Sequence, residues 1–236
     1  MSKKKKKKSS PPQKNNSAKA AKAARDDRNF TIFCVVLCVC VLVVALIAIL
    51  PRNTKEAPPS TPNVDALEKN QRYYATIEIY DYGTIVVELD HTEAPITVEN
   101  FVTLAKSGFY DGLTFHRIIE GFMMQGGAPA TEKDKAANII GEFSDNGYEN
   151  GITHKRGVIS MARADDYNSA NSQFFIMQNT KTHLDGKYAA FGHVVEGLEV
   201  VDAICEAAEP TDDNGSISLF EQPVIESITI SVETVS

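Results

Sequence analysis

Cysteine is scarce in this 236-residue chain, and where the four cysteines fall excludes more than their number does. Cys34, Cys38 and Cys40 lie in one apolar run, which leaves Cys205 alone in the C-terminal part and rules out an internal disulfide there. No His or carboxylate accompanies the first three, which argues against a metal site, and no small-residue lipobox pattern precedes any of them. They read as small apolar side chains. His91, His154 and His193 show no metal-ligand spacing, so neither a metal nor a cofactor is expected. Internal repeats are absent as well.

Charge is missing altogether from residues 30–50, FTIFCVVLCVCVLVVALIAIL, a run of twenty-one residues. As a helix rising ~1.5 Å per residue this segment reaches about 31 Å, against a bilayer hydrocarbon core of about 30 Å. A buried core helix would show a polar stripe, and this segment has none. A cleaved signal peptide would have a shorter apolar stretch ending at a small-residue site, and no A-x-A-like site precedes Pro51. The run therefore reads as an uncleaved transmembrane signal anchor.

The charges that are present are unevenly spread. Residues 1–28 carry nine Lys and two Arg against two Asp, a local net of +9, whereas the part after residue 50 has 13 basic and 29 acidic residues, a net of −16. Lysine-rich flanks of a spanning helix stay in the cytoplasm, which places the C-terminal part outside. A lysine run also serves nucleic-acid binding, but beside a spanning helix topology and attraction to anionic lipid are the simpler account, so no nucleic-acid partner is expected. The organisation expected is a basic disordered cytoplasmic tail at 1–29, the anchor at 30–50, an extracytoplasmic linker at 51–72 containing Pro51, Pro58, Pro59 and Pro62, and a folded domain at 73–236.

Within that domain strand-like segments alternate with turn residues. Strands are expected at 74–80 and 84–89, joined by Asp81-Tyr82-Gly83 as a hairpin, and at 113–118, 122–125, 158–161, 174–177, 189–193 and 224–232. Pro95 opens a helical pattern, with Val98, Phe101, Val102 and Ala105 on one face and Gly108 as its stop. A second helix is expected at 198–207, marked by Val200, Val201, Ile204 and Cys205. Many antiparallel strands with two helices suggest a closed barrel capped at its ends.

The run from Phe115 through His116 and Arg117 to Gly126-Gly127 carries the chemistry. Arg is the side chain that a protein cannot discharge, and its rigid fork of five donors can aim a hydrogen bond at one chosen atom. Phe115, Phe122, Met123 and Met124 could form an apolar wall around it, Gln125 can both donate and accept, and the glycine pair permits close backbone approach. Alone, an Arg beside a strand is usually a surface residue paired with a carboxylate. Two further blocks change that weighing: Gly157-Val158-Ile159-Ser160-Met161-Ala162-Arg163-Ala164 with Asn171-Ser172-Gln173-Phe174-Phe175-Ile176, and Leu184-Asp185-Gly186-Lys187-Tyr188-Ala189-Ala190-Phe191-Gly192.

In this order and at these separations the three blocks resemble the cyclophilin family of peptidyl-prolyl cis-trans isomerases, over about residues 74–232. The resemblance implies a mainly β fold, an eight-stranded antiparallel barrel with two helices. It also implies an enzyme that needs no nucleophile, metal or acid-base pair. Rotation about an X–Pro bond meets a barrier of about 18–20 kcal/mol because nitrogen donates its lone pair into the carbonyl, although the two isomers lie within about 1 kcal/mol. By resemblance, Arg117 donates to the proline nitrogen in the twisted state, and Phe122, Met123, Phe175 and Leu184 form the proline pocket. Gln125 orients Arg117, Gln173 lies at the site, and Ala162, Arg163 and Ala164 present an edge for extended, proline-containing polypeptide.

Departures from the family pattern concern the rim. Arg163 stands where many members have Asn, at a contact that is chiefly main-chain. His183 replaces the Trp of cyclosporin-sensitive members and Tyr188 a His, so proline binding should survive while cyclosporin binding is weak. Ala128 replaces an Asp, and residues 131–138, TEKDKAAN, stand in place of a glycine-rich loop beside the site for residues after proline. His116 invites a general-base reading, but the reaction transfers no proton, which favours a packed histidine. Asp165, Asp166, Asn168, Ser169 and Asn171 read as a solvated loop rather than a calcium site. The expected protein is a membrane-anchored isomerase of a bacterium-like cell, assisting the folding of exported or surface proteins. Its rivals are a holdase using the same groove without useful catalysis, and a surface interaction module.

Overall fold

Every second residue of the first two strands is apolar, and the computed structural model, which describes residues 67, 68 and 70–234, buries that set. The expected tail and anchor, and residues 51–66 of the linker, lie outside the described residues. Among those described, no helix is long and apolar enough to cross a membrane. Strand β1 (Gln71–Ile79) turns Tyr73, Ala75, Ile77 and Ile79 inward, and β2 (Gly83–Leu89) turns Ile85, Val87 and Leu89 inward. They pair antiparallel from Ile79↔Gly83 outward, across a turn in which Asp81 takes φ 63° and Gly83 φ 117°. Ordered structure extends N-terminal of residue 73, because Leu67 is buried against the core and the Glu68 amide donates to the Tyr73 hydroxyl at 2.9 Å.

Helix α1 (Pro95–Lys106) begins with proline at its first turn and buries Val98, Phe101, Val102 and Ala105, the face expected from their spacing. Its N-cap residue, Ala94, offers no side-chain acceptor. The buried Glu142 carboxylate supplies one instead, accepting from the Ile96 amide at 3.0 Å, the Thr97 amide at 2.8 Å and the Thr97 hydroxyl at 2.7 Å. Helix α2 (Leu198–Ala207) buries Val200, Val201, Ile204 and Cys205.

The remaining strands are β3 (Phe115–Ile119), β4 (Met123–Gly126), β5 (Val158–Met161), β6 (Phe174–Met177), β7 (Ala190–Glu196) and β8 (Ile225–Thr234). All eight expected strands are present, with ends displaced by at most a few residues. They form one antiparallel sheet in the order β3-β4-β6-β5-β7-β2-β1-β8. The closed barrel expected from the sequence is a curled half-barrel. Its edge strands β3 and β8 do not pair along their length and meet only at their starts, where Thr114 bridges Val224 and the Phe115 amide donates to the Pro223 carbonyl at 2.9 Å. The free flank of β3 is covered by the segment 210–217, which bridges Arg117 through Ser216.

The interior is aromatic. Phe101 of α1 meets Tyr110, Phe174 and Phe191 at ring-centroid distances of 5.2, 5.5 and 5.2 Å, and Phe115 meets Phe174 edge-on at 5.9 Å. A second, smaller apolar cluster, including Met123, Val158, Phe175, Met177 and Leu184, lies on the other face of β4, β5 and β6. These strands are buried on both faces, which is why Phe174-Phe175-Ile176-Met177 reads as a continuous apolar run.

Candidate active site

The site is built on the outer face of β3, β4 and β6, and a single extra residue aims its cation. In β4, Met124 and Gly126 face the interior while Met123 and Gln125 face outward. Phe115 pairs with Gly126 but Arg117 pairs with Gln125, so His116 is a bulge that moves the chain from the inner to the outer register. Phe115 is thereby fully buried, and Arg117 two residues later stands over the outer cluster. Gly126 is required by this arrangement: a Cβ there would lie 2.8 Å from the Phe115 ring and 2.9 Å from the Thr114 carbonyl oxygen.

Three contacts fix the guanidinium. Nε donates to the Asn214 carbonyl at 2.7 Å, Nη1 donates to Gln125 Oε1 at 3.3 Å and also lies 3.9 Å from the Met123 sulfur. Gln125 Nε2 in turn donates to Gln173 Oε1 at 3.0 Å, so the two amides form a relay that sets the orientation of the Gln125 oxygen. Partial burial lowers the Arg117 pKa from its ordinary value, a shift opposed by Tyr188 and Asp212. Arg117 remains a cation, held facing a groove instead of a carboxylate.

That groove, about 210 Å³, is lined by Arg117, Phe122, Met123, Gln125, Ala162, Arg163, Phe175, Leu184 and Tyr188. All nine were singled out in the sequence. Gln173 reaches the groove through Gln125, and exposed His183 stands at the rim with its ring 6.4 Å from that of Phe122. Ala164 is exposed and does not line the groove; its amide donates to the Ser169 hydroxyl at 2.9 Å. His116 does not line it either, and burial lowers its pKa, in keeping with a packed neutral imidazole. The stretch from Asp165 to Ser169 folds back on itself, with the Asn168 amide on Asp166 Oδ1 at 2.8 Å.

Several contributors escaped the sequence reading. Asn214 acts through its carbonyl and belongs to a turn in which Asp212 Oδ1 accepts from the Asn214 and Ser216 amides, each at 3.0 Å. The run Asp212-Asp213-Asn214-Gly215 is itself a turn signal, but nothing local assigns that turn to Arg117. Beneath the groove, the buried His154 ring stacks on Phe175 with centroids 6.0 Å apart. Its Nδ1 lies 2.9 Å from Asp185 Oδ1 and its Nε2 lies 3.1 Å from the Ser160 hydroxyl. Ser160 is fully buried, so this trio braces the Phe175 ring and offers no accessible nucleophile. Arg163, expected to matter mainly through its backbone, places its guanidinium against the rings of Phe143, Tyr167 and Tyr188.

Rigid cation and apolar groove on a curled eight-stranded sheet define a class of protein, and comparison with known proteins agrees. Residues 74–231 match the family model of cyclophilin type peptidyl-prolyl cis-trans isomerases. Peptidyl-prolyl cis-trans isomerase A of Dickeya dadantii is 46% identical over 130 residues, covering 52% of this chain and 67% of the relative. The peptidyl-prolyl cis-trans isomerase of Helicobacter pylori is 42% identical over 151 residues, covering 62% of this chain and 89% of the relative. Among solved structures, a Cryptosporidium parvum cyclophilin type isomerase in the presence of the dipeptide Ala-Pro superposes with a TM-score of 0.58 at 29% identity, covering 67% of this chain and 98% of that one. The chain belongs to the cyclophilin-type peptidyl-prolyl cis-trans isomerase family and is an enzyme of that class.

Proposed function

We propose that the groove binds proline-containing segments of unfolded or extended polypeptides and accelerates X–Pro rotation by transition-state hydrogen bonding from Arg117. The observation that carries this reading is a guanidinium fixed by Asn214 and Gln125 at the wall of an apolar groove. Proline sits against Phe122, Met123, Phe175 and Leu184, which withdraw water from the carbonyl of the X–Pro amide. As the amide twists, its nitrogen pyramidalises and regains a lone pair, and the Arg117 donor is in place to stabilise it. Because this bond strengthens only in the twisted state, it accelerates turnover more than it aids binding. The peptide pairs along residues 162–164, where the Arg163 amide and carbonyl have no hydrogen-bond partner among the described residues. Residues before the proline lie at that edge and residues after it face 131–138.

The decisive experiment compares the full-length chain with its Arg117→Ala variant. Peptide affinity should be largely kept while kcat falls roughly 10²–10³-fold, about 3–4 kcal/mol, as on losing one oxyanion-hole donor. Near-normal activity in the variant would remove the catalytic role, and an inactive parent that still binds unfolded chains would replace the isomerase with a holdase.

The setting belongs to the same proposal: a membrane-anchored bacterial form, spanning once through residues 30–50 with the tail cytoplasmic, that assists the folding of exported or surface proteins. Support comes from the uncharged twenty-one-residue run and the lysines before it. Protease added to intact cells should remove the folded domain and spare the tail. Protection of the domain would reverse the orientation and with it the choice of clients.

A further inference from the structure

We propose that Arg163 makes this groove selective for polypeptides with an acidic residue on the N-terminal side of the proline, an inference that rests on the isomerase reading above. The guanidinium is held in one place. Its carbon lies 5.2 Å from the Phe143 ring centroid and 4.8 Å from those of Tyr167 and Tyr188. Nε donates to the Lys187 carbonyl at 2.9 Å, and Nη1 to the carbonyls of Ala164 at 2.8 Å and Asp165 at 3.3 Å. All three acceptors are neutral main-chain oxygens. Among the described residues no carboxylate pairs with Arg163, and Nη2 has no acceptor, so one arm of the fork is unspent and the charge is not neutralised.

The surroundings sharpen this. Of the nine side chains lining the groove two are guanidiniums, Arg117 and Arg163, and none is a carboxylate, although the chain carries a net −16 after residue 50. A positive groove on an acidic domain is a local exception. Arg117 is directed at the proline itself, whereas Arg163 flanks the edge whose free amide and carbonyl pair the preceding residues. A carboxylate carried there meets a cation already stripped of much of its rotamer freedom, so pairing orders little that was not ordered before.

The test is kcat/KM of the full-length chain on peptides with Glu, Gln or Lys immediately before proline, and on a second series with the same residues immediately after it. For a partly exposed ion pair the Glu-to-Gln ratio in the first series should be about two- to fivefold, with Lys the poorest, and it should shrink at high salt. Arg163→Gln should bring that ratio to about 1, and Arg163→Lys should keep part of it, because the charge remains while the fork and ring stacking are lost. Each ratio is internal to one variant, so a general loss of activity does not obscure it, and the salt dependence of the parent needs no variant. A parental ratio of 1 or below, an undiminished ratio in Arg163→Gln, or an equal preference in the second series would overturn the inference while leaving the isomerase intact. Absence of turnover on every peptide would overturn the isomerase reading and this inference with it.

Discussion

The two faces of strands β4 and β6 are made by alternate residues of the same short segments, yet they do opposite things. On the inner face Met124, Phe174 and Ile176 are fully buried, and Phe174 meets Phe101, Tyr110 and Phe115 edge-on or nearly so. On the outer face Met123, Gln125 and Phe175 border a groove with two cations. The inner face is closed packing, where a missing ring leaves a cavity that neighbours cannot fill. The outer face is apolar enough to hold a ring that the protein does not itself supply. The adjacent residues Phe174 and Phe175 thus divide stability from binding at a separation of one residue.

The largest expected effect tests that division. Phe174→Ala should cost about 3–5 kcal/mol in urea or thermal unfolding. Phe175→Ala should cost less, about 1–3 kcal/mol, because the groove lets solvent into the space, but it should remove most peptide binding. Paired melts and peptide titrations on the two variants decide it. Equal losses of stability would break the contrast between the faces.

A smaller effect concerns the brace beneath Phe175. Burial lowers the His154 pKa from the ordinary 6.5, with the Asp185 hydrogen bond opposing it in part. Above about pH 6.5 the imidazole is neutral in both folded and unfolded chains. Below that value the unfolded chain takes up the proton first while the folded one resists, so the stability present above the unfolded pKa is lost as pH falls toward the lower folded value. The slope from this group is at most about 1.4 kcal/mol per pH unit, and His116 adds in the same direction. Unfolding free energies between about pH 7 and pH 5 should therefore decline, and less steeply in His154→Gln. An identical slope in that variant would sever the imidazole from the pH response.

The smallest effect lies at the rim, where exposed His183 approaches Phe122. His183→Trp should tighten cyclosporin, expected to bind the parent weakly, by up to about tenfold, because indole adds apolar area and an N–H donor. Turnover of proline peptides should change less. Calorimetry of both forms measures the first and the peptide assay the second; tight cyclosporin binding by the parent would show that the rim contributes little to that ligand.

Much of this fold was legible because its signals are local. Alternation within 74–80 and 84–89 marked the strands of the first hairpin, and the spacing of Val98, Phe101, Val102 and Ala105 marked the buried stripe of α1. The site was legible in its chemical identities: an Arg, two amides and a set of aromatic and sulfur side chains in three blocks. Their aim was not. Strict alternation would have put Phe115 and Arg117 on the same face, and only the bulge at His116 separates them. Such a bulge depends on the partner strand, so periodicity within β3 cannot announce it.

The sequence alone therefore determined which residues form strands and helices and which chemical groups could serve a proline site, since backbone sterics and hydrophobic periodicity act over a few neighbouring residues. The tertiary structure decided where those groups point and what holds them. Asn214 grips Arg117 across a separation of 97 residues, and Glu142 caps α1 from 45 and 46 residues away. Arg163 finds its rings in Phe143, Tyr167 and Tyr188, three separate places in the chain. Each of these contacts exists only once the sheet has curled and its loops have met, because a hydrogen bond or a ring stack needs its partners placed to within a fraction of an ångström, and nothing short of the assembled fold places them so.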